Sequence, residues 1–149
     1  MNEITGLMSD DHRACDILFA DAENAAAQGA WINASEAFER FVAAIEEHFR
    51  AEEEVLFPRF EAATGMTSGP TAMMRIEHRE MREQMAAMRD ALARRSDDEY
   101  VGESETLLIL MQQHNMKEEN ILYPMCDTRI PDADDTSRQL GSRLTGETA

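Results

Sequence analysis

Residues 48–60, HFRAEEEVLFPRF, and residues 114–126, HNMKEENILYPMC, follow one pattern: His, three residues, two Glu, one residue, Val or Ile, Leu, an aromatic residue, Pro. In an α-helix the His and the first Glu of each stretch lie about 40° apart around the axis and one turn apart along it, so both can face a shared ion. The i+3 positions are Ala51 and Lys117, which offer no ligand here. The second glutamates, Glu53 and Glu119, fall at i+5, about 140° away from the histidine, and are expected to point outward, as is Glu54. This makes His48 with Glu52, and His114 with Glu118, the candidate ligand pairs.

Outward from these stretches, apolar residues recur in steps of three and four over four segments, without strand-like alternation. The expected helices cover about 5–28, about 33 to Gly65, Pro70 to about Arg95, and Ser96 to about Asp127. Asn33 with Glu36, and Ser96 with Glu99, have the spacing of N-terminal capping boxes. Pro58 and Pro124 fall in the last turns of the second and fourth helices, where they are expected to kink or end them. His12 to His78 and His48 to His114 are each 66 residues (78 − 12; 114 − 48), and the same offset places DHR (11–13) on EHR (77–79). A repeated helix pair of this length implies an all-α, antiparallel up-down-up-down four-helix bundle with a pseudo-twofold internal repeat over 1–129. Residues 130–149, rich in Asp, Ser, Thr and Gly, read as a polar C-terminal tail, loose or weakly helical.

The inward stripes carry His12 with Met8, Cys15 and Phe19; His48 and Glu52 with Phe38, Phe41, Ile45 and Val55; His78 with Met74, Met81 and Met85; and His114 and Glu118 with Leu107, Met111, Ile121 and Met125. At about 1.5 Å rise per residue the four histidines fall within roughly 5 Å of a common level. An unpaired buried carboxylate is costly, so six polar groups in one core need a partner. Four imidazoles and two carboxylates exceed one tetrahedral ion and suit two octahedral-leaning ions, such as a dinuclear iron centre, bridged by carboxylates.

Among neighbouring residues, Asp11 and Glu77 lie one position before a ligand and are expected to support it or face solvent. Asp16 is expected to hydrogen-bond or pair with an arginine rather than ligate. Tyr123 could hydrogen-bond near the site, but its repeat equivalent, Phe57, points to packing. The methionines of the third helix read as core filler.

Fourteen basic and thirty acidic residues give a formal charge of −16, which excludes phosphate backbones and anionic membrane surfaces as expected partners. Cys15 and Cys126 form no CxxC pair and are too few for a disulfide framework. With an acidic N-terminus and no apolar run of spanning length, a cytoplasmic location is expected.

The paired phrases, the early His12 and the EH at 77–78 together resemble the hemerythrin-like (HHE cation-binding) family over about residues 4–127. The resemblance implies a non-haem di-iron site in which one iron takes His12 and His48, the other His78 and His114, with Glu52 and Glu118 bridging. Oxygen-carrying members of that family have a further histidine one turn before the third-helix ligand, where this chain has Met74, and a thioether is a poor ligand for hard iron. The expected partner is therefore a small molecule that reacts, O2, peroxide or nitric oxide, rather than oxygen that is merely stored. A sensor module or an iron donor or storage protein is the alternative, and no protein partner is indicated.

Overall fold

The computed structural model of the chain describes residues 2–146; of the spans expected above, Met1 and residues 147–149 lie outside it. Helix α1 (Glu3–Ala27) ends at a turn in which Gly29 takes a left-handed φ of 70°, open to glycine at no steric cost, and α2 (Trp31–Ala51) follows at once. A π-helical segment, Glu52–Leu56, carries α2 without a break into α3 (Phe57–Thr64). Helix α4 (Pro70–Ala93) begins on its proline, whose fixed φ and missing N–H suit a first turn. Helix α5 (Asp97–Lys117) runs through a second π segment, Glu118–Leu122, into α6 (Tyr123–Arg129), and α7 (Ala133–Thr145) closes the described chain. The structure is a helical bundle with no strand among the described residues, and none of its helices is long and apolar enough to cross a membrane.

The π segments begin on Glu52 and Glu118. Phe57 N–H bonds the carbonyl of Glu52, and Tyr123 N–H that of Glu118, five residues back in each case. One extra residue per turn shifts everything downstream by roughly 100° relative to a continuous α-helix. The expected inward residues Val55, Ile121 and Met125 are therefore displaced by their successors. Leu56, Leu122 and Cys126 are the buried ones, while Ile121 is 56 % exposed. The prolines end neither helix, because the widened turn absorbs them. The Glu53 carbonyl, five residues before Pro58, accepts instead from Arg75 Nη1 at 3.4 Å.

Two expected caps differ in the structure. Helix α2 starts before Asn33, because the chain leaves the Gly29 turn directly into helix and the Ala30 carbonyl already accepts from Ala34 N–H at 2.8 Å. Ser96 does precede α5, but its side chain makes no capping bond, and Glu99 pairs with Arg94 instead.

Within the segment read as a tail, residues 133–145 form a regular helix. Asp132 caps it by accepting from Asp135 N–H at 3.0 Å. Thr136 and Leu140, one turn apart, are fully buried, and Arg59 on α3 donates to Asp135 and Thr136 at 2.9 Å each. Leu140 is the main apolar anchor, so Leu140→Ala should cost about 2–5 kcal/mol, read as a lowered midpoint in urea.

The core has two apolar layers. One, toward the Gly29 turn, holds Phe19, Phe38, Phe41, Met85, Met88 and Leu107. The other, under α7, holds Ile4, Met8, Leu56, Phe60, Leu122 and Leu140. The buried histidines and glutamates occupy positions between the two along the helices.

Candidate metal centre

Each long helix contributes one buried histidine. His12 and His48 approach to 4.6 Å between ring centroids, and His78 and His114 to 5.0 Å. All four histidines are at most 5 % exposed, and Glu52 and Glu118 are fully buried among them. Their ligand atoms form two groups, His12, His48, Glu52 and Glu118 in one, Glu52, His78, His114 and Glu118 in the other, each with all four atoms within 4.8 Å of one another.

Both glutamates belong to both groups. Glu118 sets Oε1 at 3.0 Å from His12 Nε2 and Oε2 at 3.2 Å from His114 Nε2. Glu52 sets Oε1 at 3.0 Å from His78 Nε2 and Oε2 at 3.5 Å from His48 Nε2. Each carboxylate thus offers one oxygen to each half.

The outer nitrogen of every ring is occupied. His12 Nδ1–H donates to Glu119 Oε2 at 2.7 Å, and His48 Nδ1–H to Asp11 Oδ2 at 2.7 Å. His78 Nδ1–H donates to Glu53 Oε2 at 2.7 Å, and His114 Nδ1–H to Glu77 Oε1 at 2.8 Å. An ionised carboxylate only accepts, so each bond fixes the proton on Nδ1 and leaves Nε2 as the inward-facing atom. Asp11 and Glu77 support the rings as expected, whereas Glu53 and Glu119 do not point outward. The π segment rotates them to within reach of His78 and His12. Arg82 in turn donates to both oxygens of Glu53, at 2.9 and 3.1 Å, and Lys117 pairs with Glu77.

The sequence held a trace of this turn. Two adjacent glutamates beside one buried histidine, followed by a proline six residues after the first of them, are the pattern of a widened turn.

Tyr123 reaches further than expected. Its hydroxyl donates to Glu52 Oε2 at 2.6 Å and lies 2.8 Å from Glu118 Oε1, 3.1 Å from His12 Nε2 and 3.2 Å from His48 Nε2. On the other half, at the repeat-equivalent position, Phe57 stacks on His78 with centroids 5.7 Å apart, and Phe49 stacks more closely at 4.0 Å. Met74 is buried in the apolar layer one turn before His78. Asp16 is exposed in a cleft between α1 and α5, and Cys15 is buried outside both ligand groups.

Electrostatics follow from this crowding. Burial alone would lower the His48 and His114 pKa values, but Glu52 with Asp11, and Glu118 with Glu77, raise each to about 10. His78 is raised by Glu52 and Glu53 against the same opposing burial. Burial pushes the Tyr123 phenol well above its usual range, reinforced by the Glu118 and Glu52 charges.

The donor atoms also fit a cation. His114 Nε2 and Glu118 Oε2 are buried with no hydrogen-bond partner, although they lie 3.2 Å apart. Unpaired buried polar atoms cost free energy unless something binds them, and imidazole nitrogen with carboxylate oxygen is a ligand set for divalent and trivalent transition metals.

The hemerythrin HHE cation-binding domain family matches the chain over residues 3–126, and the chain belongs to that family. Its buried His and Glu groups are compatible with the metal binding for which the family is named. No curated protein and no solved structure matches the chain.

Proposed function

We propose that this protein holds two iron ions and uses them to bind or reduce a small molecule, O2, peroxide or nitric oxide, on an up-down-up-down bundle formed by a duplicated helix pair. The observation that carries the reading is the sharing of Glu52 and Glu118 between two four-atom ligand groups. Such sharing suits a pair of ions rather than two independent sites. His12 and His48 would hold one ion and His78 and His114 the other, through Nε2 in each case. Iron, when bound, supplies the one-electron chemistry that none of these side chains provides.

The chain's own residues orient and dry the site. Asp11, Glu53, Glu77 and Glu119 hold the imidazole rings by their outer nitrogens, which fixes the ring orientation and leaves each Nε2 facing inward. Phe49, Phe57 and Met74 surround the His78 half with apolar surface. Without a further histidine at position 74, an ion in that half would have one protein ligand fewer.

Metal analysis of protein loaded anaerobically with ferrous iron should give about two irons per chain. Mixing the loaded protein rapidly with O2, peroxide or nitric oxide should then change its spectrum. A ceiling of one iron would reject the pair, and spectral indifference to all three molecules would reject the small-molecule reading. Asp11→Asn and Glu77→Gln should each weaken metal binding about 10–100-fold, measured by competition with a chelator.

A further inference from the structure

The Tyr123 hydroxyl stands in a position the ligand groups leave unassigned. Of the six candidate ligands it lies near four, and those four, His12 Nε2, His48 Nε2, Glu52 Oε2 and Glu118 Oε1, are the set of one half only. All four distances fall between 2.6 and 3.2 Å. In an octahedral complex with bonds of about 2.1 Å, neighbouring vertices are roughly 3.0 Å apart. An oxygen at that spacing from four donors has the relation of one vertex to the four beside it. It is also too far from them to occupy the centre, where an ion would lie about 2.1 Å from each.

From this geometry, and resting on the metal-binding reading above, we propose that Tyr123 is a fifth protein ligand to the ion held by His12 and His48, binding through its phenolate oxygen. Ligation breaks the phenol O–H bond and forms an O–metal bond. The proton passes to solvent and no electron is transferred, so the exchange needs no oxidant or reductant. The oxygen is already held in place, because Tyr123 opens α6 directly after the second π segment and is fully buried. The repeat-equivalent Phe57 has no oxygen to offer. The two halves are thus chemically unlike: the His12 and His48 ion carries five protein donors, while the His78 and His114 ion carries four and is the one open to an incoming molecule.

The test uses the full chain loaded with ferrous iron and oxidised with ferricyanide. A ferric phenolate gives an intense visible charge-transfer band whose resonance Raman spectrum contains tyrosine ring modes, and histidine and carboxylate ligands give neither. We expect the band in the native protein and in Tyr100→Phe, and its loss in Tyr123→Phe with iron content retained. Should Tyr123→Phe fail to fold, titration of the native protein with Zn2+ provides the second readout. An ultraviolet phenolate difference spectrum equivalent to one tyrosine per chain, retained in Tyr100→Phe, supports the assignment. Two irons bound without tyrosine modes, a band that survives Tyr123→Phe, or Zn2+ bound without the ultraviolet difference would overturn the tyrosine assignment alone. Failure to bind any metal would overturn it together with the two-iron reading.

Discussion

Alanine in place of Glu118 is expected to empty both halves of the site, taking iron from about two per chain to nearly none. The expectation follows from the two oxygens of one side chain, which face His12 and His114 on opposite halves. A histidine serves one half only, so His78→Ala should leave the His12 and His48 half able to bind. The loss at Glu118 should exceed the roughly 10–100-fold produced by removing a hydrogen-bonding partner such as Asp11. Glu118→Gln preserves volume and one oxygen, which separates loss of a bridge from loss of packing. Elemental analysis beside far-ultraviolet circular dichroism reads both quantities. One iron retained at full occupancy in Glu118→Ala would sink the bridging role.

Metal-free protein is expected to lose stability as pH rises from 6.5 to about 10. The folded-state pKa values of His48 and His114 are raised from 6.5 to about 10, so the fold holds protons that the unfolded chain gives up earlier. Their contribution is complete below 6.5 and gone above about 10, when Glu52 and Glu118 stay buried without cationic partners. Because two buried histidines give up their protons over this range, the loss should be large enough to read as a fall in melting temperature. At the acid end the sign reverses. Glu53 and Glu77 are lowered from 4.5 to about 2, and their contribution is complete above 4.5 and lost as pH falls toward 2. Metal-free protein should therefore be most stable between about 4.5 and 6.5. Bound metal replaces the Nε2 protons, so the loaded protein should melt at nearly constant temperature across the alkaline range. Thermal melts with and without chelator decide the matter, and metal-free protein more stable at about pH 9 than at about pH 6 would contradict the prediction.

The helices and the six inward groups were legible because both depend on period. His12, His48, His78 and His114 fall on the apolar stripes of their helices, and rise per residue alone brings them level. What stayed hidden depends on departures from that period. The inserted residue in each π segment makes Glu53 and Glu119 partners of the outer ring nitrogens, and exchanges Val55 for Leu56 and Ile121 for Leu122. A fixed 100° step cannot register such an insertion. Helix α7 was hidden for another reason: its buried side is little more than Thr136 and Leu140, too small an apolar stripe to stand out from a run of Asp, Ser and Arg. At Tyr123 the 66-residue offset points to Phe57, and the two side chains differ by the one oxygen atom that reaches the ligand groups.

The four Nδ1 bonds follow a circuit. His48 on α2 ties to Asp11 on α1, His12 on α1 to Glu119 after α5, His114 on α5 to Glu77 on α4, and His78 on α4 to Glu53 after α2. The chain of links runs through all four long helices, and the last returns to the end of α2, where the first began, like a hoop around staves. Because the hoop uses only the outward nitrogens, it needs no occupant in the interior to be fastened. Cations held at the proposed centre would then be exchanged, or one species swapped for another, while neighbouring helices keep their order and rotation.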